Sequence, residues 1–230
     1  MTRPRLDFPW TLALAVAALA ATLLAIAAPG PTTSRLIADA AAIRDGQLWR
    51  LLTGPLVHAT WGHLARDLAV CLIIGAGYEP TLRPIWPALG VAALILPTAA
   101  VTLTGDWSAY FGLSGLSHAW IAAALVHEHH STRPLLRRTR YRACLHAASL
   151  AFAAKLVYEA ITATPLFPMD LGPTIRQVPL AHLTGAVIGA TLTCAYQVTS
   201  RRWPGVTSTA RDSSREPSVA MSRMDSSEAP

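Results

Sequence analysis

Apolar residues gather into long runs with almost no charge inside them. The first is WTLALAVAALAATLLAIAA at 10–28, and five more follow at about 61–78, 84–103, 113–127, 141–162 and 180–199. A bilayer span needs roughly 20 mainly apolar residues. The pattern therefore predicts an all-α, polytopic membrane protein whose six crossing helices occupy 10–200. No soluble-type strands, nucleotide loop or long repeat stand out, and no stretch is left for a separate soluble domain. Between the first two runs lies PGPTTSRLIADAAAIRDGQLWRLLTGPLVHATWG, too long for a turn and too patterned for a linker. Within it SRLIADAAAI has helical spacing and QLWRLLTGPLVH is amphipathic, which suits a segment lying in the interface plane. Trp49 and Trp61 are residue types favoured at that boundary. YEPTLRP reads as a short turn between the second and third runs. Residues 1–9 are a short N-terminal segment, and 201–230 form a Ser-rich, charged tail expected to be disordered.

Composition supports the membrane reading. The chain has 230 residues, of which 52% are hydrophobic and 14% charged, against about 25% charged in soluble domains. The net charge of +6 would suit nucleic acid if it formed one patch, but its placement argues for topology. Arg3 and Arg5 precede the first run. Arg133, Arg137, Arg138, Arg140 and Arg142 separate the fourth from the fifth, and Arg201 and Arg202 follow the sixth. Six crossings put all of these on one side. Basic loops mark the cytoplasmic side, so both termini are expected there, with the lipid bilayer as partner and no nucleic acid. Arg35, Arg44 and Arg50 lie opposite, partly offset by Asp39 and Asp45. Residues 1–28 could instead be a cleaved signal peptide, but the apolar run exceeds the usual 7–15 residues of such a core, and retention is the better reading. Cys71, Cys144 and Cys194 are too few and too scattered for a disulfide framework or a zinc site.

Chemistry concentrates in YFGLSGLSHAW, 110–120. Counted from Ser114 to His127, the fourth span is too short to cross the hydrocarbon core at about 1.5 Å per residue. The chain before it must dip into the membrane, which is tolerated only inside protein or beside a water-filled cavity. A polar pocket at Ser114, open to the outer side, follows. Gly112 and Gly115 permit a tight approach to it. A serine there needs a base. His182, near the outer end of the sixth span, is at matching depth. Gly185 and Gly189 lie on nearly its face and allow another helix to pack closely. A Ser, a His or a glycine stripe alone is usually structural; their conjunction points to catalysis. HEHH at 127–130 is contiguous and lies in a basic loop, which gives poor ligand geometry, so no metal and no cofactor are expected.

GLSG, AHLTGAVIGA and WRLLTGPLVHATWGHLARD together resemble the rhomboid family of intramembrane serine proteases, over about Trp49 to Gly189. The resemblance implies a six-helix rhomboid-like bundle in a bacterial-type inner membrane, transmembrane protein substrates, and a Ser–His dyad without a triad acid, placed on Ser114 and His182. It matches Trp49 and Arg50 to the Trp-Arg pair of the first outer loop, and Glu79 to the acidic residue closing the second span. It also implies an oxyanion hole from the Ser114 N–H, His63 and an Asn. Asp67 stands in the Asn position. An ionised Asp donates no hydrogen bond, so Asp67 must either be neutral or hold His63 as a cation. His118 follows Ser114 by one helical turn and is read as a brace in preference to a second base. Lys155 and Glu159, four apart, could pair locally. The compact chain, His118 and this pair resemble the rhombosortase branch, which implies substrates with a C-terminal Gly-Gly, an apolar helix and a basic tail. The rival readings are an inactive rhomboid-like protein that binds membrane clients, supported by Asp67, and a small transporter, for which no inverted repeat is seen. The oligomeric state is not fixed by the sequence.

Overall fold

The computed structural model describes residues 8–28, 30–104, 108–131, 139–169, 171 and 177–202. Six long helices carry the architecture: α1 (Pro9–Ala27), α5 (Trp61–Leu82), α6 (Trp86–Leu103), α7 (Ser114–His130), α8 (Thr139–Thr162) and α9 (Pro179–Arg202). Shorter elements fill the first loop: α2 (Pro31–Leu36), β1 (Ala38–Asp39), α3 (Ala40–Arg44), α4 (Arg50–Thr53) and a 3-10 turn at Gly54–Leu56. β2 (Ala109–Tyr110) comes just before α7. The expected tail, the Gly105–Trp107 dip and Arg133, Arg137 and Arg138 lie outside the described residues.

Each apolar run is a helix, but among the described residues only α1, α6 and α8 are by themselves long and apolar enough to cross a membrane. The other runs fall short for physical reasons that bear on the site. α5 carries His63, Arg66, Asp67 and Glu79. α7 has 17 residues, about 25 Å of helix at 1.5 Å per residue, against a hydrocarbon core of about 30 Å. The outward surface is apolar. Ile73 on α5 and Leu150 and Ile161 on α8 are more than 70% exposed, as where lipid is the neighbour. Inside, Trp86 of α6 stacks on Trp120 of α7 with ring centres 4.6 Å apart. Leu82, Leu89, Leu113 and Leu116 close around them.

The stretch YEPTLRP is not a simple turn. α5 continues through Pro80 to Leu82, and only residues 83–85 turn. Pro80 removes one helical hydrogen bond, and next to it Glu79 ties this end of α5 to α1. Its buried carboxylate accepts from Trp10 N, Thr11 N and Thr11 Oγ1 at 2.9, 2.8 and 2.6 Å. These are free donors at the N-terminus of α1, where a negative charge is also favoured by the helix dipole. Gly75 lies against Thr11, with no room for a side chain between them, and Thr22 of α1 donates to Leu56 O. α1 is thus an integral part of the bundle.

SRLIADAAAI does not form one helix. It breaks at Ile37, whose backbone is extended, and Asp39 caps α3 by accepting from Ala42 N at 2.7 Å. An Asp competes in this way with helix continuation. The freed segment pairs antiparallel with the chain leading to Ser114, Ala38 against Tyr110 and Asp39 against Ala109. Arg50, buried, holds this loop from below: Nε donates to Gln47, and Nη1 to the carbonyls of Ser34 and Ile37. Trp49 is about half exposed and donates to Arg35 O. Arg50 thereby fixes β1, and through β1 the position of Tyr110.

Candidate active site

Ser114 is the first residue of α7 and is half-buried. Two residues earlier Gly112 has φ +100°, and a Cβ there would sit 2.6 Å from His63 Cε1 and 2.7 Å from His63 Nε2. Glycine is required on both counts: for the left-handed backbone and for the close approach of the imidazole. Ser114 Oγ hydrogen-bonds the Tyr110 hydroxyl at 3.3 Å. Among the described residues it makes no hydrogen bond to His182.

His182 is buried on α9, one turn above Gly185. Gly185 is packed so tightly on α7 that a Cβ would fall on the Gly115 carbonyl oxygen, and at Gly189 one would fall on the Ala119 carbonyl oxygen. Gly115 in turn has Pro97 of α6 against it. These contacts bring α9 onto the first turns of α7. The His182 ring then stacks on His118, with centroids 4.1 Å apart and planes 9° from parallel. His118 Nδ1 donates to the Ser114 carbonyl at 2.6 Å, so its Nε2 is the acceptor face, and Lys155 Nζ donates to it. His118 therefore contacts the Ser114 main chain and the His182 ring, and does not engage the Ser114 hydroxyl.

The Nδ1 edge of His182 meets a carboxylate. His182 Nδ1 lies 2.8 Å from Glu159 Oε2, and Lys155 Nζ lies 2.8 Å from the same oxygen. The Lys155–Glu159 pair is formed, but it is one edge of a larger network that includes both histidines. Glu159 Oε1 accepts from Leu166 N at 2.9 Å. On the other side of Gly112, Asp67 and His63 share α5, and His58 joins them from the preceding loop. Asp67 Oδ2 is 3.3 Å from His58 Nε2 and 3.5 Å from His63 Nε2. All three residues are buried.

Among the described residues two donor sets have the compactness a metal ion needs: His58, His63 and Asp67, and His118, Glu159 and His182, each within 4.8 Å. In the second the Lys155 ammonium already contacts all three residues. The residues of HEHH turn to separate partners: His127 to Gln197, Glu128 to Tyr141, His129 to Ser149 and His130 to Val126 O.

Sequence reasoning overlooked Tyr110 and His58 and gave Glu159 only a local partner. His58 had a legible signal: His58, His63 and Asp67 fall at spacings of five and four at the start of a helix. Tyr110 and Glu159 had none, because their partners are set by strand pairing and helix docking.

A family model for the Rhomboid domain matches residues 45–197. A comparison with curated proteins finds no match. The matched segment covers most of the chain and contains every residue of the site, and the chain belongs to the rhomboid family. That family comprises intramembrane serine proteases acting on transmembrane substrates, together with inactive members.

Proposed function

We propose that this protein is an active intramembrane serine protease with Ser114 as nucleophile and His182 as base. The observation that carries the reading is the docking of Gly185 on Gly115, which brings His182 onto the same end of α7 as Ser114. Ser114 Oγ attacks the scissile carbonyl, and its proton passes to His182 Nε2. The imidazolium returns that proton to the leaving amine. Water then releases the acyl-enzyme by the same route in reverse. The Tyr110 hydrogen bond must be exchanged for one to His182, in line with catalytic contacts that tighten only when substrate binds. The Ser114 N–H and His63, beside Gly112, face the developing oxyanion. Asp67 lies within 3.3 Å of His58 Nε2 and 3.5 Å of His63 Nε2, and its role in this reading is to orient His63 by charge.

Six crossings, both termini cytoplasmic and a bacterial-type inner membrane complete the proposal, supported by the placement of basic residues. So does a membrane domain over 10–200; the expected tail over 201–230 begins inside α9, which continues to Arg202, and its remainder lies outside the described residues. We assign the substrates to proteins with Gly-Gly before a C-terminal apolar helix and basic tail. The support is the rhombosortase-like combination of a compact chain, His118 and the Lys155/Glu159 pair. The second reading, a client-binding inactive protein, is favoured by Asp67 where an amide donor is expected.

A charged, membrane-impermeant fluorophosphonate applied to sealed right-side-out membranes tests nucleophile and orientation together. It should label the wild type and leave Ser114→Ala unlabelled. Labelling only after lysis would place the serine on the cytoplasmic face, and no labelling in either condition would favour the client-binding reading. Asp67→Asn should label at the wild-type rate or faster, because an amide adds an N–H donor at the oxyanion position. A loss of labelling with folding intact would show that the charge of Asp67 is needed.

A further inference from the structure

Glu159 is the only buried residue of α8, a helix of 24 residues. A buried carboxylate among lipid-facing residues is costly unless it is paired, and intramembrane ionisable groups are as a rule functional. Its surroundings favour one assignment of protons: Lys155 Nζ also lies 3.2 Å from His182 Nδ1, but the shorter contact of that nitrogen, 2.8 Å, is to the Glu159 carboxylate, which when ionised can only accept. His118 Nδ1 donates to the Ser114 carbonyl and leaves Nε2 to accept from Lys155. Lys155 also donates to Glu159 Oε2, and Leu166 N donates to Oε1. The remaining strong contact, His182 Nδ1 to Glu159 Oε2 at 2.8 Å, is then an N–H donated to a carboxylate. That fixes the His182 tautomer with its proton on Nδ1 and leaves Nε2 unprotonated, the form that can take a proton from Ser114.

We infer that Glu159 is a positioning residue that completes a Ser114–His182–Glu159 triad, where the family resemblance implies a dyad. The carboxylate stays ionised throughout. It holds the reactive tautomer and offsets the positive charge that forms on His182 when the Ser114 proton arrives. Lys155 keeps the carboxylate in place and, through His118, ties it to the main chain of the nucleophile. The inference rests on the protease reading of Ser114 and His182. A purely structural role, latching α8 and the Leu166 loop to the bundle, is the alternative.

The experiment measures fluorophosphonate inactivation over a range of probe concentrations, separating the maximal rate from the half-saturating concentration. Glu159→Gln should lower the maximal rate by at least about 100-fold, as expected when an amide can no longer fix the base's tautomer. The half-saturating concentration and the thermal midpoint in detergent should change little. A wild-type maximal rate in folded Glu159→Gln would overturn the inference while leaving the protease reading intact. If that variant does not fold, the decision passes to the wild type with 15N-labelled histidine. A strongly downfield imidazole N–H proton that disappears in His182→Gln supports the inference, and its absence overturns it. A wild type that the probe does not label would defeat the protease reading instead, and the same proton signal would still decide whether Glu159 holds His182.

Discussion

His182→Ala is expected to slow cleavage by on the order of 10^6-fold in kcat, the scale at which deleting the base of a serine–histidine pair silences the nucleophile. The side chain is buried, with one ring face on His118 and its Nδ1 at Glu159. Its removal costs some packing as well as the base, so folding must be monitored alongside. The measurement is turnover of a model substrate bearing Gly-Gly before an apolar helix and a basic tail, reconstituted with this protein in liposomes. Ser114→Ala should be equally inactive, and the double variant no worse than either single one, because two residues acting as a unit are not additive. Residual turnover within tenfold of wild type in His182→Ala would remove it from the mechanism.

Gly185→Val is expected to destabilise the protein by at least about 3 kcal/mol, the upper range for overpacking a filled core. At this position even a first carbon would fall on the Gly115 carbonyl oxygen. Backbone cannot yield as a flexible side chain does, so α9 must move off α7 and carry His182 with it. The loss should therefore appear both as a lower thermal midpoint in detergent and as lost probe labelling. Gly189→Val meets the Ala119 carbonyl in the same way and should behave alike. Gly77→Ala is the control. It lies within α5 with nothing within 4 Å of the added carbon, so it should leave stability unchanged or raise it by up to about 1 kcal/mol. Equal midpoints for Gly185→Val and the wild type would mean that the α7–α9 contact does not hold the site together.

Much of this was legible along the chain. Apolar runs free of charge leave backbone groups no partner but their own helix, so the six long helices follow from the pattern. Glycines four apart, at 185 and 189, announce a close helix contact, because nothing else lets two backbones approach so nearly. Ser114 after a short Gly-rich approach, and His182 beside that stripe, could be singled out from local features and depth alone. Glu79 could be matched, through the family resemblance, to the acidic residue closing the second span, although its partners at the start of α1 could not be named.

What only the tertiary structure decided is where polar groups far apart in sequence meet. Lys155 and Glu159 satisfy each other at i and i+4, so a reading of α8 alone has no reason to look further. The docking of α9 turns Glu159 Oε2 onto His182, 23 residues away. Tyr110 reaches Ser114 because a two-residue strand pairing, 72 positions apart at Ala38 and Tyr110, fixes its backbone. Such a pairing is too short to leave a period in the sequence. The separation has one physical cause. Burial of apolar surface is additive and local, and each run states its own preference. A hydrogen bond depends on two groups meeting within a few tenths of an ångström, and only the assembled bundle sets that distance.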